Sequence, residues 1–424
     1  MTYYERGGAD VELTQEDLRS GLFEALGRLG ARRSVLAVPP DVTRLPSQAG
    51  PLTRFTHEYY GDRLAAILPA IGTHHPMSEL QIELMYGDLP RELFQVHDWQ
   101  HDLATLGRIE AERIRALSEG KLDFDWPAQV NRRISDGGHD LILSIGQVVP
   151  HEVIGMANYN KNIFVGTGGA EAIGKSHYLG AVYGMERIMG HADSPVRAVL
   201  NEASDRFARD LPIVYVLTVV EAAPTRLVVR GLFIGDDSEC YYKAAALSRE
   251  VNVFLVDRPL PKIVAYMDPR EYTSTWVANK AIYRTRMAIA DGGELVVIAP
   301  GVTQYGENET IDRLVARYGY RGTVATLAAV ESDSELGMAL GAAAHLIHGS
   351  SEGRFRIRYA AGGLTPAQVS HVGFEPESVE AALARYPLAE MRDGWNTTAD
   401  GEEVYFISNP ALGLWAEASR FGSL

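Results

Sequence analysis

An imidazole and an amine stand in the stretch VVPHEVIGMANYNKNIFVG, residues 148–166: His151 and, ten residues on, Lys161, in a run otherwise largely apolar and punctuated by glycine. Lys175-Ser176-His177 follows, and upstream Ile71-Gly-Thr-His-His-Pro-Met77 contributes His74. Taken singly, each histidine reads as a satisfied core or surface residue, and Lys161 as a lysine whose stem covers apolar area. Taken together they are a set of bases that titrate near neutral pH, with one amine among them. Asp41-Val42-Thr43-Arg44 directly follows an apolar run and two prolines. Ligands of α/β sheets bind in the crevice beyond strand carboxyl ends, and Arg44 there is suited to bidentate pairing with a carboxylate or phosphate. His57, His97, His101, His139, His191, His345, His348 and His371 show no such pattern.

The elements that must carry these residues alternate in type. Thr14 with Glu16 and Asp17 marks a helix start, and Leu18, Leu22, Phe23 and Leu26 follow at helical spacing. Ser34–Val38, Asp140–Ile145, Ile213–Val220 and Val251–Val256 read as strands, and the whole as an α/β fold. Asp257-Arg-Pro-Leu-Pro-Lys262 breaks the pattern and predicts a connection between two α/β domains, 1–262 and 263–424, with an active-site cleft between them. In the second, Trp276–Ile289 is helical in character and forms a linker helix, Glu294–Ala299 a strand and Glu309–Tyr318 a helix. Asn396, Asp400-Gly401 and Val404–Ile407 suggest a turn into a terminal strand.

Composition narrows the function class. The 424 residues are 46% hydrophobic and 22% charged, the balance of a globular protein large enough for two or three cores. A net charge of −15 argues against a nucleic-acid surface, which needs clustered Lys and Arg. There is no apolar run long enough to span a membrane and no secretory leader pattern, and the one cysteine, Cys240, forms no internal disulfide, so a cytoplasmic location is expected. Without thiolate clusters, any metal must use histidine, carboxylate or ligands brought by a cofactor.

One motif offers a rival. Gly169-Ala-Glu-Ala-Ile-Gly174-Lys175-Ser176 satisfies G-x-x-x-x-G-K-[ST] between a strand-like Asn162–Val165 and a helical stretch, the context of a phosphate loop in a nucleotide triphosphatase. Glu171 inside an anion cradle counts against it, and the pattern leaves His74, His151 and Lys161 unexplained.

Four motifs in order give the chain a resemblance to the nickel-dependent lactate racemases, over the first two-thirds closely and the last third more loosely. These are Asp41-Val42-Thr43-Arg44, Gly72-Thr73-His74-His75-Pro76, Pro150-His151 with Lys161 ten residues later, and His177 sixteen residues after that lysine. The resemblance implies a nickel-pincer nucleotide (pyridinium-3-thioamide-5-thiocarboxylic acid mononucleotide) joined covalently to Lys161, with His177 as the protein's nickel ligand and the cofactor's carbon and sulfurs completing a square-planar site. It further implies racemisation or epimerisation at C2 of a 2-hydroxy acid by reversible hydride transfer to the cofactor, with His74 and His151 as the two bases. Arg44, Lys280 and Trp276 would bind substrate, Asp41 and Thr43 would lie near the cofactor or Arg44, and separate maturation proteins would supply the cofactor. A non-catalytic cofactor- or metal-binding protein is a further alternative, and no oligomeric state can be read from the sequence.

Two segments depart from that family. Asn158 and Tyr159 stand where it has glycines, so the backbone before Lys161 has fewer allowed conformations. In Trp276-Val277-Ala278-Asn279-Lys280 the lysine matches, but Val277 replaces a glutamine that hydrogen-bonds substrate. A 2-hydroxy acid other than lactate is therefore expected. Asn158, Thr303, Gln304, Tyr305 and Asn308 suggest a polyhydroxylated acid such as an aldonate; alternatively, Gly301–Gly306 is merely a loop.

Overall fold

The computed structural model describes residues 1–223 and 226–422. The chain forms two compact α/β units: residues 1–179 with 188–252, and residues 180–187 with 253–424.

The first unit is built on a six-stranded sheet in the order Thr2–Gly7, Arg226–Gly235, Ile213–Ala223, Leu141–Gln147, Val35–Val38, Leu64–Ile67. The first two pairings are antiparallel and the other three parallel. The parallel strands Val35–Val38 and Leu141–Gln147 are almost wholly buried, as strands covered on both faces must be. The predicted first helix is Gln15–Leu29, opened by a capping box in which Thr14 and Asp17 satisfy each other's backbone amides. It buries Leu18, Leu22, Ala25 and Leu26 in the same core as Val35, Leu141, Leu143 and Val216.

Asn162–Val165, strand-like in sequence, lies instead within and just after the short helix Asn160–Phe164. An apolar run this short is ambiguous between strand and helix, and polar anchoring on either side of Lys161, described below, decides it. The phosphate-loop reading also fails. Residues 170–183 are one α-helix, so Gly174, Lys175 and Ser176 lie in its middle rather than in a loop before it. Lys175 Nζ donates to the Asp125 carbonyl and to Glu171, both at 2.7 Å, and the Ser176 hydroxyl donates to the Ile173 carbonyl. No phosphate cradle remains.

The second unit holds a sheet in the order Glu375–Pro376, Arg356–Ala361, Ile289–Ala299, Leu260–Tyr266, Glu403–Ile407, Gly394–Thr397. All its pairings are parallel except the last, the hairpin that Asp400-Gly401 turns. Glu309–Tyr318 is the expected helix, capped by Asn308. Trp276–Ile289 is less helical than expected: it comprises two single turns, Thr275–Ala278 and Lys280–Tyr283, broken at the buried Asn279, and Ile289 already begins a strand. The chain changes unit at Asn252/Val253 rather than at 262, because Val253–Val256 pairs in parallel with Leu414–Glu417 near the end of the described chain. Cys240 is buried in the first unit. Among the described residues, no helix is long and apolar enough to cross a membrane.

Candidate functional site

Three adjacent parallel strands of the first unit deliver three of the singled-out side chains from their carboxyl ends. Val35–Val38 runs through Pro39-Pro40 into Asp41, Leu64–Ile67 leads to His74, and Leu141–Gln147 leads to His151. This is the end of an α/β sheet at which ligands are bound.

Asp41 is buried, and its carboxylate has two sides. Oδ1 accepts the Thr43 N–H at 3.1 Å and the Thr43 hydroxyl; Oδ2 lies 2.7 Å from Nδ1 of His74. Burial alone would raise the carboxyl pKa, but the hydrogen bond and charge of His74, the Thr43 hydroxyl and the Arg44 charge outweigh it and hold the pKa below its ordinary value. An ionised Asp41 can only accept, so Nδ1 of His74 carries a proton and the neutral ring has its lone pair on Nε2. The His74 side chain is 57% exposed, so that lone pair is open to a ligand. Gly72, at φ +57°, donates its N–H to the Gly166 carbonyl and ties this loop to the segment that follows Lys161. Arg44 follows Asp41 and Thr43 in a short 3-10 turn, and among the described residues its guanidinium has no hydrogen-bond or ion-pair partner.

Lys161 sits in the first turn of Asn160–Phe164, between two anchored asparagines. Asn162 Nδ2 donates to the Val38 carbonyl and to the Ser144 hydroxyl, reaching two of the parallel strands. Asn160 Nδ2 donates to Asn201 and Ser204 on the helix Pro195–Phe207. Burial pushes the Lys161 pKa down to about 8, with the Arg44 charge adding to the shift and Glu152 opposing it. At pH 7 such an amine is about one-tenth free base, against roughly one part in three thousand for an ordinary lysine. Competitive labelling with an acylating reagent, read by peptide mass, is expected to mark Lys161 first, with half-maximal reactivity near pH 8; a midpoint above about pH 10 would contradict the burial argument.

His177 lies on the helix Ala170–Tyr183, with Nδ1 2.7 Å from the Ile173 carbonyl. A carbonyl only accepts, so Nδ1 carries the proton and Nε2 is left as a lone pair. Burial, then the nearby Lys161 charge, push its pKa down to about 4, so the ring is neutral at pH 7. A neutral imidazole whose other nitrogen is fixed by a backbone carbonyl is the usual state of a metal-binding histidine. Among the described residues no group of three or more His, Cys, Asp and Glu could hold a metal ion, so further ligands would have to come from a bound group. The mutual fields of Asp41, Arg44, Glu152, Lys161 and His177, with His74 acting on His177, mark these residues as neighbours.

The backbone before Lys161 takes a glycine-like shape without glycine: Asn158 and Tyr159 have φ of +64° and +60°. Asn158 presses its amide on Gly146, where a Cβ would lie 2.0 Å from Asn158 Nδ2. Tyr159 stacks on Tyr241 and packs against Tyr215. Fully buried Arg197 donates to the carbonyls of Met156 and Asn158 and to the Asn160 side chain, its guanidinium 4.3 Å from the Tyr241 ring centre. The strained pair persists because this clamp over-determines it. Arg197→Met is expected to leave those acceptors unpaired, costing about 3 kcal/mol in urea denaturation and raising amide exchange across 156–164; unchanged exchange there would remove Arg197 from this role.

Sequence reasoning missed Glu152, Asn160, Asn162 and Arg197. The asparagines flanking Lys161 in a buried run were a readable signal; Arg197, distant in sequence, gave none. Trp276 and Lys280 belong to the second unit, where Trp276 packs on His345 at 4.1 Å between ring centres and Lys280 lies 5.5 Å from the Tyr272 ring centre.

These features define an α/β protein with a lysine–histidine site at the carboxyl ends of its parallel strands. Residues 27–188 match the family described as the lactate racemase N-terminal domain. Asp41, His74, His151, Lys161 and His177 all fall inside the match. Among solved structures, a protein from Thermotoga maritima shares the fold with a TM-score of 0.81 at 23% identity, over 97% of this chain and 99% of that one. The lactate racemase apoprotein from Thermoanaerobacterium thermosaccharolyticum matches with a TM-score of 0.66 at 14% identity, over 96% and 90%. No curated protein matches the chain in sequence.

Proposed function

We infer that the chain is an isomerase that inverts C2 of a 2-hydroxy acid, with a nickel-pincer nucleotide carried on Lys161. One juxtaposition supports this above all: a lysine with its pKa lowered to about 8 beside His177, a neutral imidazole with an open Nε2. The donor set fits the group. Lys161 supplies an acylable amine and His177 a single nitrogen ligand, while soft donors, for which this one-cysteine chain has no thiolate cluster, belong to the nucleotide. When bound, the nucleotide supplies the hydride acceptor for C2 of the substrate.

The chain's own residues do the rest. Arg44, whose guanidinium has no hydrogen-bond or ion-pair partner among the described residues, takes the substrate carboxylate. His74 receives the hydroxyl proton at Nε2 while Asp41 holds its Nδ1–H, and His151 serves the other face. The resemblance assigns Lys280 to the carboxylate as well.

The substrate is a 2-hydroxy acid other than lactate, because Val277 cannot make the family glutamine's hydrogen bond. Support for an aldonate is thinner than the residue types suggested. Tyr305 donates its hydroxyl to the Gln368 carbonyl and Asn308 caps a helix, which leaves Thr303 and Gln304 exposed for substrate.

The test is co-expression with the cofactor-maturation proteins and nickel, followed by intact mass and peptide mapping. A mononucleotide-sized adduct on the Lys161 peptide is expected, with turnover then sought among short aliphatic hydroxy acids and sugar acids. An unmodified Lys161 under conditions that load a lactate racemase would overturn the reading. An adduct without turnover of any 2-hydroxy acid would favour a non-catalytic carrier.

A further inference from the structure

The imidazole of His151 stands between two groups that make opposite demands on Nδ1. The Val153 backbone N–H donates to that nitrogen at 3.1 Å, which requires a lone pair there and puts the neutral ring's proton on Nε2. The Glu152 carboxylate lies 3.6 Å from the same nitrogen, beyond hydrogen-bond reach but at ion-pair distance. It gains from the ring only when Nδ1 bears a proton, and that proton turns the Val153 contact into two opposed N–H groups. His74 differs: the carboxylate at its Nδ1 demands a proton there in every state.

The His151 and Glu152 side chains are 5% and 18% exposed, so solvent screens the pair little. Glu152 supplies an ionisable group at this distance. The neighbouring strand Gly155–Met156 carries none. The helix Ser238–Asn252, which also packs on Pro150–His151, turns Cys240 and Tyr241 inward, and burial raises both, keeping them neutral. Lys161 and His177 share the field of Glu152 but offer no carboxylate.

We propose that Glu152 is the positioning carboxylate of His151: it takes the Nδ1–H in the working states of the ring, while the Val153 amide holds a resting state. In the resting state Nε2 carries the proton and cannot accept another. Protonation at Nδ1 swings the ring's partner to Glu152. Nε2–H can then be given to the substrate oxygen, leaving a neutral ring with Nδ1–H still on Glu152 and a lone pair on Nε2 able to take the proton back. His151 is thus a two-state proton carrier, where His74 is a fixed base. The catalytic meaning rests on the function proposed above; the pairing itself does not.

The experiment is a pH titration of the full-length, cofactor-free chain labelled with 15N-histidine, with His151 assigned by loss of its signals in His151→Gln. In the wild type above the midpoint, Nδ1 is expected to appear as the unprotonated, pyridine-type nitrogen; a protonated Nδ1 there overturns the resting state without recourse to a variant. Glu152→Gln is expected to lower the midpoint by roughly one pH unit, a ten-fold weaker hold on the proton, with the high-pH tautomer unchanged. An unmoved midpoint in a variant whose other histidine signals match the wild type overturns the pairing. Failure to load Lys161 would sink the racemase reading and leave these titrations standing.

Discussion

Lys161→Met is expected to abolish the nucleotide adduct and with it the whole rate enhancement, about 10⁶-fold or more for an ordinary enzyme, while leaving the chain folded. The thioether keeps most of the stem's packing but offers no nitrogen to acylate. The direction of the stability change separates this from simple damage. The folded-state pKa of about 8 lies below the ordinary 10.5, so below about pH 8 the fold carries a full penalty for holding an ammonium the site disfavours. That penalty falls away as pH rises from 8 to 10.5, where the unfolded chain still binds the proton and the folded chain does not. The unloaded Met variant is therefore expected to equal or exceed wild-type stability at pH 7, by about 1 kcal/mol or more, and to lose that advantage near pH 10. Denaturant melts at the two pH values check this. A variant clearly less stable than wild type at pH 7 would mean that Lys161 is a structural cation, and loss of activity would then say nothing about an anchor.

How much of this site was legible in the sequence depended on the kind of constraint. The carboxyl-end loops could be read because parallel strands announce themselves as apolar runs, and Asp41 comes just beyond Val35–Val38. Glu309–Tyr318 could be read for a similar reason, since its boundary residues are capping residues whose chemistry is local. The positive φ of Asn158 and Tyr159 was not legible because residue type constrains φ only on average. Whether a non-glycine residue is held at positive φ is decided by Arg197, Tyr215 and Tyr241, none near in sequence. The phosphate-loop pattern fails for the converse reason: a regular expression fixes residue types but not backbone state, and the i to i+4 pair of Glu171 and Lys175 suits a continuous helix. Tertiary contacts made the first decision, while the second agrees with a local pair inside one helix.

Asp41→Asn tests whether the base at His74 is set by orientation or merely by charge. Oδ1 of Asp41 accepts both the N–H and the hydroxyl of Thr43, so an asparagine here keeps its carbonyl oxygen on Thr43 and must turn its NH₂ toward Nδ1 of His74. An amide donor at Nδ1 forces the lone pair to that nitrogen and the proton to Nε2, which reverses the tautomer needed to accept a hydroxyl proton. Turnover is expected to fall by about 10²–10⁴, the range for losing a positioned general base, and His74→Ala to fall by a similar factor. Because the two residues act as one unit, the double variant should be little worse than either single one. The proposed anchor, Lys161, behaves in the opposite way. Asp41 raises the Lys161 pKa, so its neutralisation lowers that pKa further and leaves more free amine at pH 7. Asp41→Asn should therefore carry the adduct on Lys161 in full while turning over poorly, a separation read by intact mass and racemisation rate on one sample. Loss of the adduct in Asp41→Asn would assign Asp41 to cofactor binding instead, and full activity would remove His74 from proton transfer.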